Sequence, residues 1–282
     1  MRIIETIKDM REFVQQARGS GKSIALVPTM GSLHVGHITL MQYAAQACDI
    51  VVASIFINPT QFGPNEDFGK YPRDLAGDSE KAANAGVQAI FHPQVKEMYP
   101  EGYSSFIEVE GVTEKLCGLS RPGHFRGVAT VVNKLLNIVQ PDKAFFGQKD
   151  AQQVLVLKRM VADLNMNVLL EVVPIVREKD QLAMSSRNAF LSAEERQAGL
   201  VLSRSLQLAE QLVAAGERDV EIIRSLVLAN IRTEKLADCE YVEVYNDKNL
   251  GNITVIKDKA LLALAVRFGN TRLIDNTILE VK

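Results

Sequence analysis

Only three cysteines, Cys48, Cys117 and Cys239, occur in the 282 residues, far apart and with no Cys-x-x-Cys pair. An odd, scattered set excludes a disulfide scaffold and a zinc framework; it fits a reducing compartment, where a free cysteine behaves as a small hydrophobe. Histidine is almost as scarce, at four residues, which leaves few candidates for a metal centre. No apolar run reaches the ~20 residues of a membrane helix; the longest, such as Ile50–Ile57 and Ala260–Val266, are strand-sized. The opening MRIIETIKDMREF mixes charges of both signs and has no signal-like apolar region. A cytoplasmic protein without membrane contact is expected. An excess of charge is also missing: 32 Lys+Arg face 34 Asp+Glu, for a formal net charge of −2. That balance excludes a dedicated nucleic-acid binder, whose affinity rests on a basic field, and still allows a local nucleotide site.

What the chain does have is apolar runs alternating with helical patterns. Strands are expected at Ser23–Pro28, Ile50–Ile57, Val87–Phe91, Lys143–Phe146 and Asn167–Val173. Helices are expected at Gly36–Cys48, Asp74–Ala85, Gly127–Val139 and Asp150–Asn165. Strands that are apolar throughout, separated by helices, indicate a parallel sheet covered on both faces. The reading is a doubly wound, Rossmann-like α/β domain over residues 1–175, with ligands beyond the carboxyl ends of its strands. After Pro174 the texture changes to a long helix, Ser192–Gly216, a second at Val220–Leu236, and strand-like runs at Glu240–Tyr245, Lys259–Arg267 and Thr271–Leu279. A smaller α+β domain with an antiparallel sheet is expected over 176–282.

The most informative stretch, Pro28–His37 (PTMGSLHVGH), lies where a strand hands over to a helix. Gly31 and Gly36 permit close backbone approach. His34 and His37, three apart, share one side of the first helical turn, and the helix N-terminus favours an anion. Together these describe a phosphate cradle, against the plainer alternatives of a metal pair or two surface histidines. A second strand-to-helix passage, Phe145–Asp150, carries Lys149, which can reach a phosphate as a point charge, and Asp150 as a candidate N-cap. The polar loop Met184–Asn188 joins small hydroxyls to Arg187. Gln61, just past the second strand, offers two donors and an acceptor to a ligand with hydroxyls and a carboxylate. In Ser120–Gly127, His124 reads as a loop anchor, and His92 as structural.

Taken in order, PTMGSLHVGH, SIFINPTQF, YPRD, SRPGHFRG, FFGQKDAQQ, AMSSRN and TRLIDN resemble the pantothenate synthetase (pantoate–β-alanine ligase) family over nearly the whole chain. The His-x-Gly-His element alone indicates only the wider HIGH-motif superfamily of nucleotidyltransferases. The resemblance implies an AMP-forming ligase: pantoate and ATP give pantoyl adenylate and pyrophosphate, then β-alanine displaces AMP. It further implies that Met30, Gly31, Ser32, Leu33, His34, Val35, Gly36 and His37 bind ATP, with His37 catalytic. Gly147, Gln148, Lys149 and Asp150 form a second ATP segment, and Val176 an adenine contact. Met184, Ser185, Ser186 and Arg187 form a mobile loop over the phosphates. Gln61 and Gln153 bind pantoate, and Gln61 also lies near β-alanine. Mg²⁺ as cofactor, a homodimer paired through the first domain, and a smaller domain closing as a lid follow from the same likeness. The chain departs from the family pattern at Gln148, where an acidic residue is usual, and at Ala151, where an aromatic is usual. The alternatives are another HIGH-motif nucleotidyltransferase acting on a phosphorylated acceptor and a non-catalytic nucleotide sensor.

Overall fold

The computed structural model describes residues 1–63 and 67–281, which form two compact units. The first comprises 1–148 and 152–174, the second 149–151 and 175–282. Along the first unit run β1 (Arg2–Ile4), α1 (Ile7–Gly19), β2 (Ile24–Thr29), α2 (Val35–Ala47), β3 (Ile50–Ile55), α3 (Leu75–Asn84) and β4 (Ala89–Phe91). The short helices α4 (Val95–Met98) and α5 (Cys117–Ser120) follow, then α6 (His124–Val139), β5 (Lys143–Gly147), α7 (Ala151–Asp163) and β6 (Leu169–Val173). All six strands pair in parallel, in the order β1-β4-β3-β2-β5-β6. This is the doubly wound sheet that the continuous apolar runs call for.

Side chains alternate across a strand, and both faces of the central strands are buried. Ala25, Val27, Val51, Ala53 and Ile55 pack in one core with Met41 and Ala44 of α2 and with Ala82 and Ala85 of α3. Their neighbours Ile24, Leu26 and Val52 are equally buried, and α6 reaches β2. Because β2 lies between β3 and β5, the turns that leave the carboxyl ends of these three strands are adjacent.

The strand β1 and helix α1 went unread in the sequence. A three-residue strand carries too little pattern to show a period, whereas α1 has a local signal in Thr6, whose hydroxyl accepts from the Asp9 N–H at 3.1 Å. Helix α6 starts at His124, one turn before the expected Gly127, because Gly123 (φ +80°) admits the left-handed entry.

In the second unit, the expected single helix Ser192–Gly216 is two, α8 (Ala193–Gly199) and α9 (Val201–Ala214). Ser192 does cap α8, with Glu195 completing the box. The interruption follows Gly199, whose bare Cα lies where a Cβ would sit 3.3 Å from Leu273 and 3.5 Å from Leu182. Helix α10 (Val220–Arg232) and the antiparallel sheet β7 (Ala237–Asn246), β8 (Lys259–Phe268) and β9 (Thr271–Glu280) complete the unit. Its core joins Leu202, Leu206, Ile223 and Val227 of the helices to Val242, Leu262, Leu264 and Phe268 of the strands. No helix among the described residues is long and apolar enough to cross a membrane.

Gly127 marks a tight backbone approach between α6 and the turn after β3. A Cβ there would lie 2.3 Å from the Thr60 carbonyl oxygen, in the short helical turn Pro59–Gln61 after β3. The Gly127→Ala variant is expected to lose about 1–3 kcal/mol of stability by overpacking. A lowered urea midpoint with unchanged slope would register that loss.

Candidate active site

The passage from β2 to α2 takes five residues, Met30–His34. Two in succession are left-handed, Gly31 at φ +87° and Ser32 at φ +52°. Glycine adopts that conformation freely, whereas serine does so only when its surroundings impose it. The amides of Ser32 and Leu33 both donate at 2.7 Å to the carboxylate of Asp78 on α3. Asp78 is 1% exposed. One turn along α3, Lys81 donates to the Leu33 carbonyl at 3.0 Å.

Beyond this turn the two histidines cap the helix with one another. The Gly36 N–H donates to His34 Nδ1 at 3.1 Å, and the His34 N–H donates to His37 Nδ1 at 3.3 Å. The rings lie 4.0 Å apart between centroids. A nitrogen that accepts from an amide carries no proton, so each neutral ring bears its proton on Nε2. Both imidazoles are thereby fixed as donors at a helix N-terminus.

After β3, the buried Asn58 organises the neighbouring turn. Its Oδ1 accepts from the Thr60 N–H at 3.3 Å, the Thr60 hydroxyl at 3.0 Å and the Tyr99 hydroxyl at 2.8 Å. Its Nδ2 donates to the Gly127 carbonyl at 3.1 Å and to Gln61 Oε1 at 3.2 Å. With its oxygen held by Asn58, Gln61 turns Nε2 toward Met30 Sδ at 3.0 Å, in the β2–α2 turn. The Gln61 carbonyl is bound by His124 Nδ1 at 2.9 Å, so His124 anchors this loop. His92 Nδ1 lies 2.7 Å from the Ile55 carbonyl, a structural contact.

Gly147 ends β5, and Gln148–Asp150 form a helical turn leading directly into α7 at the buried Ala151. Asp150 is thus inside that turn and exposed. Gln153 is half-buried on the first turn of α7. Its neighbour Gln152 is buried and holds a separate loop, accepting from the Cys117 N–H and donating to the Val112 and Lys115 carbonyls.

The second unit has its own bracing. Val176 and Met184 join the ends of a narrow loop through the Met184 N–H and Val176 carbonyl at 2.9 Å. Ser185 caps the turn Ser186–Phe190 that contains Arg187. Arg177 makes a bidentate pair with the buried Asp275, at 2.7 and 3.0 Å, and Asn276 Nδ2 donates to the Lys149 carbonyl at 2.9 Å. Arg196 clamps Glu178 and Asp180, each at 2.7 Å.

Three groups that shape these segments escaped the sequence reading: Asp78, Tyr99 and the pair Asp275–Asn276. YPRD ends four residues before Asp78, and TRLIDN contains Asp275 and Asn276, but spacing alone gave no reason to connect these residues to segments tens of residues away. Among the described residues no three His, Cys, Asp or Glu gather as a metal site.

Comparison with known proteins shows which family the chain resembles. A family model described as pantoate-beta-alanine ligase matches residues 2–278. The pantothenate synthetase of Pelotomaculum thermopropionicum is 60% identical over 279 residues, 99% of each chain. That of Acetivibrio thermocellus is 58% identical over 281 residues, the full length of both. Among solved structures, pantothenate synthetase from Thermus thermophilus superposes with a TM-score of 0.94 at 41% identity, covering 98% of this chain and 99% of that one. A Francisella tularensis pantoate-beta-alanine ligase, complexed with beta-gamma ATP and beta-alanine, superposes at 0.80 with 34% identity, covering 99% and 97%.

Burial pushes the Tyr99 phenol up to about 12, against the lowering effect of its bond to Thr60. The unfolded chain releases that proton near its ordinary pKa of about 10, so stability falls as pH rises from 10 to 12. The Tyr99→Phe variant should lose less stability across that window than the wild type, as followed by denaturant titration at each pH.

Proposed function

The chain belongs to the pantoate-beta-alanine ligase family, and on that premise we propose how its residues divide the reaction. The reaction condenses pantoate with β-alanine through pantoyl adenylate, releasing pyrophosphate and AMP. In the first step a pantoate carboxylate oxygen bonds to the α-phosphorus of ATP as the bond to pyrophosphate breaks. The nucleophile is already ionised, so no general base is required. The demand is for donors that meet negative charge as it builds on the phosphates. His34 and His37 answer it through Nε2–H, from rings whose orientation is set before substrate arrives. That reciprocal imidazole cap is the observation that carries the reading.

Around it, Met30–Gly36 line the nucleotide segment. Gln61 binds pantoate by the amide nitrogen that Asn58 turns toward Met30, with Gln153 as the second pantoate glutamine. Gly147, Gln148, Lys149 and Asp150 form the second nucleotide segment. Val176 contacts adenine, and Met184, Ser185, Ser186 and Arg187 bind phosphate. Mg²⁺ keeps several waters and takes one or two carboxylates besides substrate phosphates. The exposed Asp150 beside Lys149 suits such an ion, which would neutralise charge on the triphosphate. In the second step the neutral amine of β-alanine attacks the acyl carbon and AMP leaves; Gln61 lies beside that amine. Family membership further supports a cytoplasmic homodimer paired through the first unit.

The test is single-turnover pyrophosphate release with ATP, Mg²⁺ and pantoate. In His37→Ala the pantoate-dependent burst should slow about 10²–10³-fold, the loss typical of removing one transition-state donor. An unchanged burst would remove His37 from the chemistry.

A further inference from the structure

A strained stretch of backbone in the first unit stands next to the two histidines assigned to the phosphates. Gly31 and Ser32 are consecutively left-handed, and the residue after Leu33 is His34, the cap of α2. The turn belongs neither to the sheet nor to the helix, so the amides of Ser32 and Leu33 have no place in either hydrogen-bond ladder. An amide buried without an acceptor is strongly disfavoured. Both are satisfied by one group, the Asp78 carboxylate, with one oxygen for each amide at 2.7 Å. The fit is close: a Cβ on Gly31 would lie 3.0 Å from Asp78 Oδ2 and 3.1 Å from Ile55 Cγ2. Lys81 holds the same turn from its other side, donating to the Leu33 carbonyl while its ammonium lies 3.9 Å from Asp78 Oδ1. At the start of the turn, the Gly31 N–H donates to the Thr29 hydroxyl at 3.2 Å, and that hydroxyl donates to the Ser54 carbonyl.

Helix α3 therefore uses two aspartates differently. Asp74 caps the helix itself, accepting from the Gly77 N–H. Asp78, one turn later, makes no such cap bond and points its charge into the protein at the β2–α2 turn. A charge buried this fully persists only when hydrogen bonds replace the lost water, and two charge-assisted amide bonds meet that need.

We propose that Asp78 is a positioning residue for adenylation: its carboxylate holds the left-handed Gly31–Leu33 turn that aims the His34 and His37 imidazoles. The inference rests on the assignment of those imidazoles to the phosphates.

The Asp78→Asn variant keeps the shape and opposes one amide N–H with an NH₂ group. Three readouts apply: single-turnover pyrophosphate release with pantoate, the KM for pantoate, and the ¹⁵N NMR signals of the His34 and His37 rings. We expect the burst to slow about 10- to 100-fold, the scale of a small misplacement of reacting groups. The KM should be unchanged, since Gln61 and Gln153 are untouched, and the ring signals should leave the Nε2–H pattern. A folded variant with wild-type burst and ring signals overturns the inference and leaves the histidine assignment standing. A slowed burst with intact ring signals also overturns it, because Asp78 would then act by another route. Altered ring signals with a normal burst overturn both. Should Asp78→Asn not fold, Lys81→Met carries the same test, since that side chain is 49% exposed. It is expected to slow the burst and shift the ring signals in the same directions by less, again with an unchanged KM, and a wild-type burst with wild-type ring signals there overturns the inference.

Discussion

A parallel strand ends with its chain pointing away from the sheet, and the following helix has to run back across it. At the end of β2 that reversal happens in five residues, two of them left-handed. The placement of the two histidines assigned to the phosphates hangs on how that reversal is held. The turn fixes where α2 begins, the start of α2 fixes the two rings, and Met30 of the same turn meets Gln61 of the turn after β3. The sheet order reinforces this, because β2 has β3 on one side and β5 on the other.

The same device recurs wherever the chain leaves regular structure. A single buried polar side chain, distant in sequence or directly preceding the turn, supplies the partners that an irregular backbone cannot give itself. Asp78 does so for the β2–α2 turn, Asn58 for Pro59–Gln61, and Gln152 for the loop from Val112 to Cys117. In the second unit Asp275 secures Arg177, and Asn276 secures the Lys149 backbone. Neighbouring residues thus divide support and chemistry: Gln152 braces a loop while Gln153 is assigned to substrate.

This division explains what could be read from the sequence. The sheet was legible because its central strands are apolar on both faces, and α2 because it follows a glycine-histidine turn. His34 and His37 were legible as a pair on one helical turn, but their mutual capping was not, since imidazole is not among the usual cap side chains. Asp78 was hidden by distance. It lies within a helix that a periodic pattern predicts, and the amides it serves are 45 and 46 residues earlier. The break after Gly199 was hidden for the opposite reason: helix-forming residues continue on either side, and only packing against Leu182 and Leu273 gives that glycine its purpose.

The order of the sheet also has a consequence for how the protein is made. Among the described residues β1 precedes the other strands along the chain, yet its neighbour in the sheet is β4, paired Arg2 to Ala89. It therefore waits, unpaired, until some ninety residues have followed. The central pair β2–β3 closes across a much shorter interval, Ile24 to Ile50, and short closures come first when loop entropy governs. β5 and β6 lie on the other side of β2. By that rule of loop closure the sheet grows outward from the strand that ends in the left-handed turn, and β1 joins late, as an edge.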